Sequence, residues 1–97
     1  MIPVVDAHND LLLELVLREG VENPFAAAWL PQLRAGSVVV QICPLYAADS
    51  GEEARAVVAA QIAAFDRAVR ENSDVVQIRM HRLSARHRQA CVVADRR

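Results

Sequence analysis

The chain has 97 residues, of which 54% are hydrophobic and 24% are charged, and its formal net charge is −1 at pH 7. This length allows one small domain, and the composition is globular rather than disordered. A net charge near zero excludes a nucleic-acid or anionic-lipid partner that is recruited by the overall charge of the molecule.

The first two predicted elements are a strand and a helix. Residues 2–6 are apolar up to Asp6 and are typical of a short buried strand. Residues 11–19 have a wide apolar face, which predicts a helix buried on most sides. We expect Asn9 or Asp10 to cap its start and Gly20 to end it in a left-handed conformation.

A second helical segment and a second strand follow. Asn23 as cap and Pro24 at the first position predict a short helix, which Pro31 interrupts and Gly36 ends. Its predicted core contacts are Trp29, Leu30 and Leu33. Residues 37–45 are β-branched, continuous and nearly uncharged, as in strands of a parallel sheet that is covered on both faces. Cys43 lies in this run, which predicts a buried thiol.

The longest predicted helix comes next. Ser50 and Glu53 form a capping-box pattern, and the helix is expected to reach about Asn72. Its apolar stripe is predicted at Val58, Ile62, Phe65 and Val69. Residues 75–78 begin a possible third strand. Strands that alternate with helices predict an α/β fold with a parallel sheet and right-handed crossovers.

The last residues differ from the rest. Residues 1–78 carry 11 acidic residues and 5 arginines, whereas residues 79–97 carry 6 arginines and one acidic residue. Residues 84–90 and 91–93 fit a helix and a strand fragment only irregularly. We therefore divide the chain into residues 1–79 and an Arg-rich tail, residues 80–97. A frameshift or a misjoined reading frame would produce such a tail.

Chemistry is concentrated after the first strand, where His8 and Asp10 follow directly. Residues i and i+2 of an extended chain project to the same side, so we expect these two side chains to lie together. Imidazole and carboxylate groups are ligands of zinc and similar metals. Two simpler interpretations stay open: Asp10 or Asn9 is a helix cap, and His8 is an ordinary loop residue.

Three segments carry a resemblance to a known family. Residues 4–11, with the sequence VVDAHNDL, resemble the opening motif of the membrane (renal) dipeptidase family of zinc metallopeptidases, in the amidohydrolase-like superfamily. Residues 30–41 and 52–79 are similar to the segments that lead into the family's second and third strands. The resemblance covers about residues 2–79. Ala7 departs from it at a position where the family often has glycine. Ser37, Val39 and Val40 depart from it in a stretch where the family usually has further glycines.

The resemblance implies that the chain is the N-terminal part of a (β/α)8 TIM-type barrel and contains about two and a half of its β/α units. It also implies that the complete barrel binds two zinc ions and hydrolyses dipeptides. It implies that His8 and Asp10 are ligands of one metal. The family's other ligands have no counterpart in this sequence, and His81 and His87 are interpreted as solvent-facing. The fragment alone is therefore expected to be inactive.

Two other functions stay open. The chain is alternatively a small non-catalytic α/β interaction module, whose apolar faces bind a partner or form a homo-oligomer, or a fragment of another amidohydrolase-type metallohydrolase. Apolar runs are too short to span a membrane, and Cys43 and Cys91 form no CxxC motif. These features favour a cytoplasmic protein without nucleic-acid or membrane partners.

Overall fold

The computed structural model describes residues 2–47, 51–78 and 90–96. The strands in these residues are Val4–Asp6 (β1), Val38–Pro44 (β2), Val75–Gln77 (β3) and Ala90–Asp95 (β4). The α-helices are Leu11–Leu17 (α1), Leu30–Ala35 (α2) and Glu52–Glu71 (α3), and a π-helical turn, Phe25–Trp29, directly precedes α2. The described part of the chain is thus a mixed α/β structure, as predicted from its alternating elements.

The four strands form one sheet in the order β1-β2-β4-β3. β1 and β2 are parallel, but β4 is antiparallel to both β2 and β3. The expectation of a wholly parallel sheet is therefore wrong. The physical reason is that β4 is itself an apolar strand, which buries Val92 and Val93 and forms hydrogen bonds along both of its edges. Because β2 and β3 both oppose β4, they run in the same direction.

One face of the sheet carries the hydrophobic core. Its strand residues, Cys43, Val75 and Val93, project to the same side in the observed register. Helical residues cover them, namely Leu11, Leu12, Leu15, Phe25, Leu30, Phe65 and Ala68. The predicted core contacts are confirmed, since Leu30 is buried and Trp29 and Leu33 pack against this cluster. Cys43 is buried, also as predicted.

Helix α1 ends earlier than predicted. It stops at Leu17, and Gly20 does not adopt a positive φ. The N–H groups of Arg18 and Glu19 donate to Leu15 and Val16, three residues earlier in each case. These tighter bonds close the last turn without a left-handed glycine.

The segment between α1 and β2 confirms one prediction and corrects another. Asn23 Oδ1 accepts a hydrogen bond from the Ala26 N–H, at 3.3 Å, so Asn23 caps the helical segment as expected. Pro31 does not end the helical segment, because it lies in the first turn of α2, directly after the π-helical turn. Gly36 follows the end of α2 as predicted, and Ser37 has a φ of 60°, a conformation that favours glycine.

Helix α3 has the predicted bounds, and its predicted apolar stripe is confirmed at Phe65 and Val69, which belong to or pack against the core. Its N-cap residue is Gly51, and Ser50 lies outside the described residues. Phe65 is buried as expected, but the prediction for Ile62 is wrong, since it is 41% exposed. Gln61 occupies the buried position instead. Its amide is satisfied there by the backbone of Tyr46, which removes most of the cost of burying a polar group.

The tail enters the sheet through β4. Arg34 of α2 forms two hydrogen bonds with the carboxylate of Asp95, at 3.0 and 3.3 Å, and one with Asp74 at 3.4 Å. The pKa of Arg34 is raised chiefly by its hydrogen bond with Asp95. The origin of residues 80–97 stays a prediction. Among the described residues, no helix is long and apolar enough to cross a membrane.

Candidate functional site

The structure brings His8 and Asp10 together. β1 ends at Asp6, His8 follows two residues later, and Asp10 immediately precedes α1. The distance from His8 Nε2 to Asp10 Oδ1 is 3.2 Å, and the two side chains are 69% and 57% exposed. The prediction that these two side chains lie together is therefore confirmed. Both groups are open to an ion or a ligand from solvent.

Asp6 shapes the turn that presents this pair. Its Oδ1 accepts a hydrogen bond from the backbone N–H of His8, at 3.2 Å. An aspartate that binds the backbone two residues later forms an Asx-turn, which redirects the chain directly after the strand. This role of Asp6 was not predicted, although an aspartate directly after an apolar strand is a common signal for an Asx-turn.

Asp10 occupies the position of a helix cap without forming the bond of one. It is the N-cap residue of α1, but its side chain makes no capping hydrogen bond. Its carboxylate faces the imidazole of His8 instead. The capping interpretation therefore explains where Asp10 lies along the chain, and the contact with His8 accounts for the direction of its side chain.

Gln41 attaches the end of β1 to β2. It lies opposite Asp6 in the register, is buried, and donates from Nε2 to the carbonyl oxygens of Asp6 and Ile42, at 3.3 and 3.1 Å. Within the described residues its Oε1 atom is buried and has no hydrogen-bond partner. The strand end that carries the His8–Asp10 pair is thus held to the centre of the sheet.

The pair fits zinc in ligand type but not in number. An imidazole nitrogen and a carboxylate oxygen are ordinary zinc ligands, whereas a catalytic site takes about three from the protein. In residues 2–47, 51–78 and 90–96, no cluster of three or more His, Cys, Asp or Glu side chains could hold a metal ion. His81 and His87 lie outside the described residues.

A cavity of about 340 Å³ lies elsewhere, between α1 and α3. Its lining includes Leu15, Phe25, Ala64 and Arg67, but neither His8 nor Asp10. Arg67 donates to the backbone carbonyls of Glu19 and Val21, at 2.7 and 2.9 Å, and joins the end of α1 to α3. This cavity is therefore not part of the candidate metal site.

Comparisons with known proteins add no assignment. No family model matches the chain, and no curated protein or solved structure matches it at a significant level. The resemblance to the dipeptidases therefore rests on the residues quoted above. We therefore base a functional proposal on the geometry of the His8–Asp10 pair.

Proposed function

We propose that residues 2–79 are the opening β/α units of a zinc-dependent dipeptidase and that His8 and Asp10 are ligands of one metal. The observation that carries this proposal is the direction of the Asp10 carboxylate, which faces His8 at 3.2 Å rather than capping α1. The pair follows the carboxyl end of a strand with a parallel neighbour. In β/α barrels this end of the strands carries the catalytic groups.

The two faces of the sheet differ in the way that those of a barrel sheet do, and this difference supports the barrel proposal. In a β/α barrel, helices cover the outer face and branched apolar side chains fill the interior. Here the helices pack on one face, and the register aligns Val5, Val40, Ala94 and Val76 across the other. In a barrel β2 and β3 would be parallel neighbours. They run in the same direction here, so they could pair in this way if β4 did not lie between them.

The 97-residue chain is expected to be inactive by itself. We expect no release of amino acids from dipeptides, including those with a C-terminal D-residue, because the described residues supply two metal ligands and hydrolysis by zinc needs about three. The measurement is an amino-acid release assay with added Zn²⁺, with and without a chelator. Chelator-sensitive turnover would contradict this expectation.

The metal-ligand assignment has its own test. Zinc titrated into the isotopically labelled chain is expected to shift the imidazole resonances of His8, and His8→Ala is expected to lower zinc affinity at least tenfold, about 1.4 kcal/mol. Asp10→Asn removes the carboxylate of the proposed ligand and keeps the size of the side chain at the N-cap position. Asparagine caps helices as well as aspartate does, so this variant should weaken zinc binding and leave the free energy of unfolding unchanged.

Two variants control for other zinc ligands. His81→Ala removes an imidazole, and Cys91→Ser removes the more accessible thiol. Both are expected to bind zinc as the unchanged chain does. The assignment of His8 and Asp10 is wrong if either control abolishes zinc binding while His8→Ala preserves it.

A second candidate function has a specific observation in its favour. Large apolar side chains are exposed near β1, including Ile2 and Val5, the latter at 64%. They favour the small non-catalytic interaction module, with a partner or a second copy on this face. On that hypothesis His8→Ala would leave folding and self-association unchanged. Another amidohydrolase-type metallohydrolase would share the His8–Asp10 pair and differ in substrate.

A further inference from the structure

Cys43 and Cys91 lie directly opposite each other on neighbouring antiparallel strands. Cys43 is on β2, Cys91 is on β4, and the register pairs them. Opposite residues of an antiparallel pair project to the same face of the sheet. Both thiols therefore lie on the face that the helices cover, where Cys43 belongs to the core and Cys91 packs against it.

Opposite residues of antiparallel strands form either a hydrogen-bonded or a non-hydrogen-bonded pair. The hydrogen bonds between β4 and β3 show which of these two types Cys43 and Cys91 form. The Ile78 N–H donates to the Val92 carbonyl at 2.9 Å, and the Arg96 N–H donates to the Asp74 carbonyl at 2.7 Å. Polar backbone groups alternate in direction along a strand, so those of Cys91, one residue from Val92, face β2. Cys43 and Cys91 are consequently a hydrogen-bonded pair.

This pairing sets a distance that a disulfide can span under strain. The Cα atoms of a hydrogen-bonded antiparallel pair are about 5.5 Å apart, within the range of roughly 4.4–6.8 Å found across disulfides. The Cβ atoms of a hydrogen-bonded pair, at about 5.5 Å, are farther apart than the roughly 3.5–4.5 Å of a relaxed disulfide. A bond formed here would be strained, and strained disulfides are more easily reduced.

The two thiols differ in access. Cys43 is fully buried, and Cys91 is only partly so. Burial, followed by the nearby Cys91 and Asp6, raises the pKa of Cys43 to about 12, and burial and Asp66 raise the pKa of Cys91 to about 11. Both groups are therefore protonated at neutral pH, and Cys91 is the one that an external reagent meets first.

We propose that Cys43 and Cys91 form a reversible dithiol–disulfide pair that exchanges with low-molecular-weight disulfides of the glutathione type. The small fraction of Cys91 that loses its proton to water attacks, as the thiolate, one sulfur of oxidised glutathione, and the S–S bond of the reagent breaks to release one glutathione thiolate. The Cys43 thiolate then attacks the Cys91 sulfur of the mixed disulfide and releases the second. The two departing thiolates take up the protons that the cysteines lose, so two glutathione molecules form for each protein disulfide.

The bond would link β4 covalently to β2 in the centre of the sheet. It would join two strands that are separated along the chain by α3 and β3. Because β4 lies between β2 and β3, the redox state of this pair would control how firmly β3 is attached to the rest of the sheet. This role does not depend on the proposed metal site.

The test is oxidation of the folded chain. Wild type, Cys91→Ser and Cys43→Ala are incubated with oxidised glutathione without denaturant and analysed by intact mass and peptide mapping. We expect wild type to form an intramolecular Cys43–Cys91 bond, Cys43→Ala to retain one glutathione on Cys91, and Cys91→Ser to remain unmodified. Wild-type data alone decide the matter if a variant does not fold.

Three results would overturn the proposal. They are a wild-type chain that keeps a stable glutathione adduct, one that forms only intermolecular disulfides, and one that forms the internal bond only in denaturant. A second measurement tests the strain by equilibrating the oxidised chain with mixtures of reduced and oxidised glutathione. We expect comparable amounts of dithiol and disulfide in such mixtures, whereas a chain that stays fully oxidised would contradict a strained, reversible pair.

Discussion

Replacing Leu12 with alanine is expected to lower the free energy of unfolding by about 3 kcal/mol. Leu12 of α1 is 0% exposed and belongs to the core beneath the helices. The substitution removes buried methyl groups and leaves a cavity that the surrounding side chains fill only in part. A domain of this size has a total stability of roughly 5–10 kcal/mol, so the loss is a large fraction of it.

Leu17→Ala is the matched control for this experiment. Leu17 lies on the same helix and is the same residue type, but it is 73% exposed. We expect a change within about 0.5 kcal/mol, because surface substitutions rarely exceed this value. Urea denaturation followed by circular dichroism measures both variants. Equal effects at the two positions would show that α1 does not pack on the sheet in the observed orientation.

Replacing Gln61 with leucine is expected to lower the free energy of unfolding by about 2 kcal/mol. Gln61 is fully buried on α3, and its amide both donates to the Tyr46 carbonyl at 2.5 Å and accepts from the Tyr46 N–H at 3.0 Å. It also donates to the Val57 carbonyl at 3.2 Å. Leucine fills similar space but leaves the partly buried backbone groups of Tyr46 without these partners, and such a group costs about 1–3 kcal/mol when it is left unpaired.

Gln32→Leu is the control for the glutamine substitution. Gln32 also donates to a carbonyl oxygen, that of Ala28, but this bond is exposed and water can replace it. We expect a change within about 0.5 kcal/mol at this position. If Gln61→Leu were neutral in the same denaturation experiment, then the bridge from α3 to the segment after β2 would not contribute to stability.

Local signals predicted much of the secondary structure. The continuous apolar run around Val40 identified β2, and the periodicity around Phe65 identified α3 with nearly correct bounds. Asn23 was recognised as a cap because its side-chain chemistry is local to the helix start. These predictions succeeded because each depends on residues a few positions apart along the chain.

The errors arose where distant segments meet. Ile62 was predicted to be buried, but Gln61 is buried instead, because Tyr46, 15 residues away, satisfies its amide. The irregular pattern of residues 91–93 did not predict a central strand, since β4 is stabilised by two neighbours that are far away in sequence. The periodicity of a short segment does not reveal which distant strands will pair with it.

The same division applies to the candidate site. The sequence predicted that the side chains of His8 and Asp10 lie together, and they are in contact, although residues 8–10 follow a turn after β1 and are not extended. Tertiary structure decided the direction of the strands, the insertion of β4 between β2 and β3, and the meeting of Cys43 with Cys91. Local spacing fixes which side chains leave the backbone together. Only burial and hydrogen bonding between separated segments select which strands become neighbours.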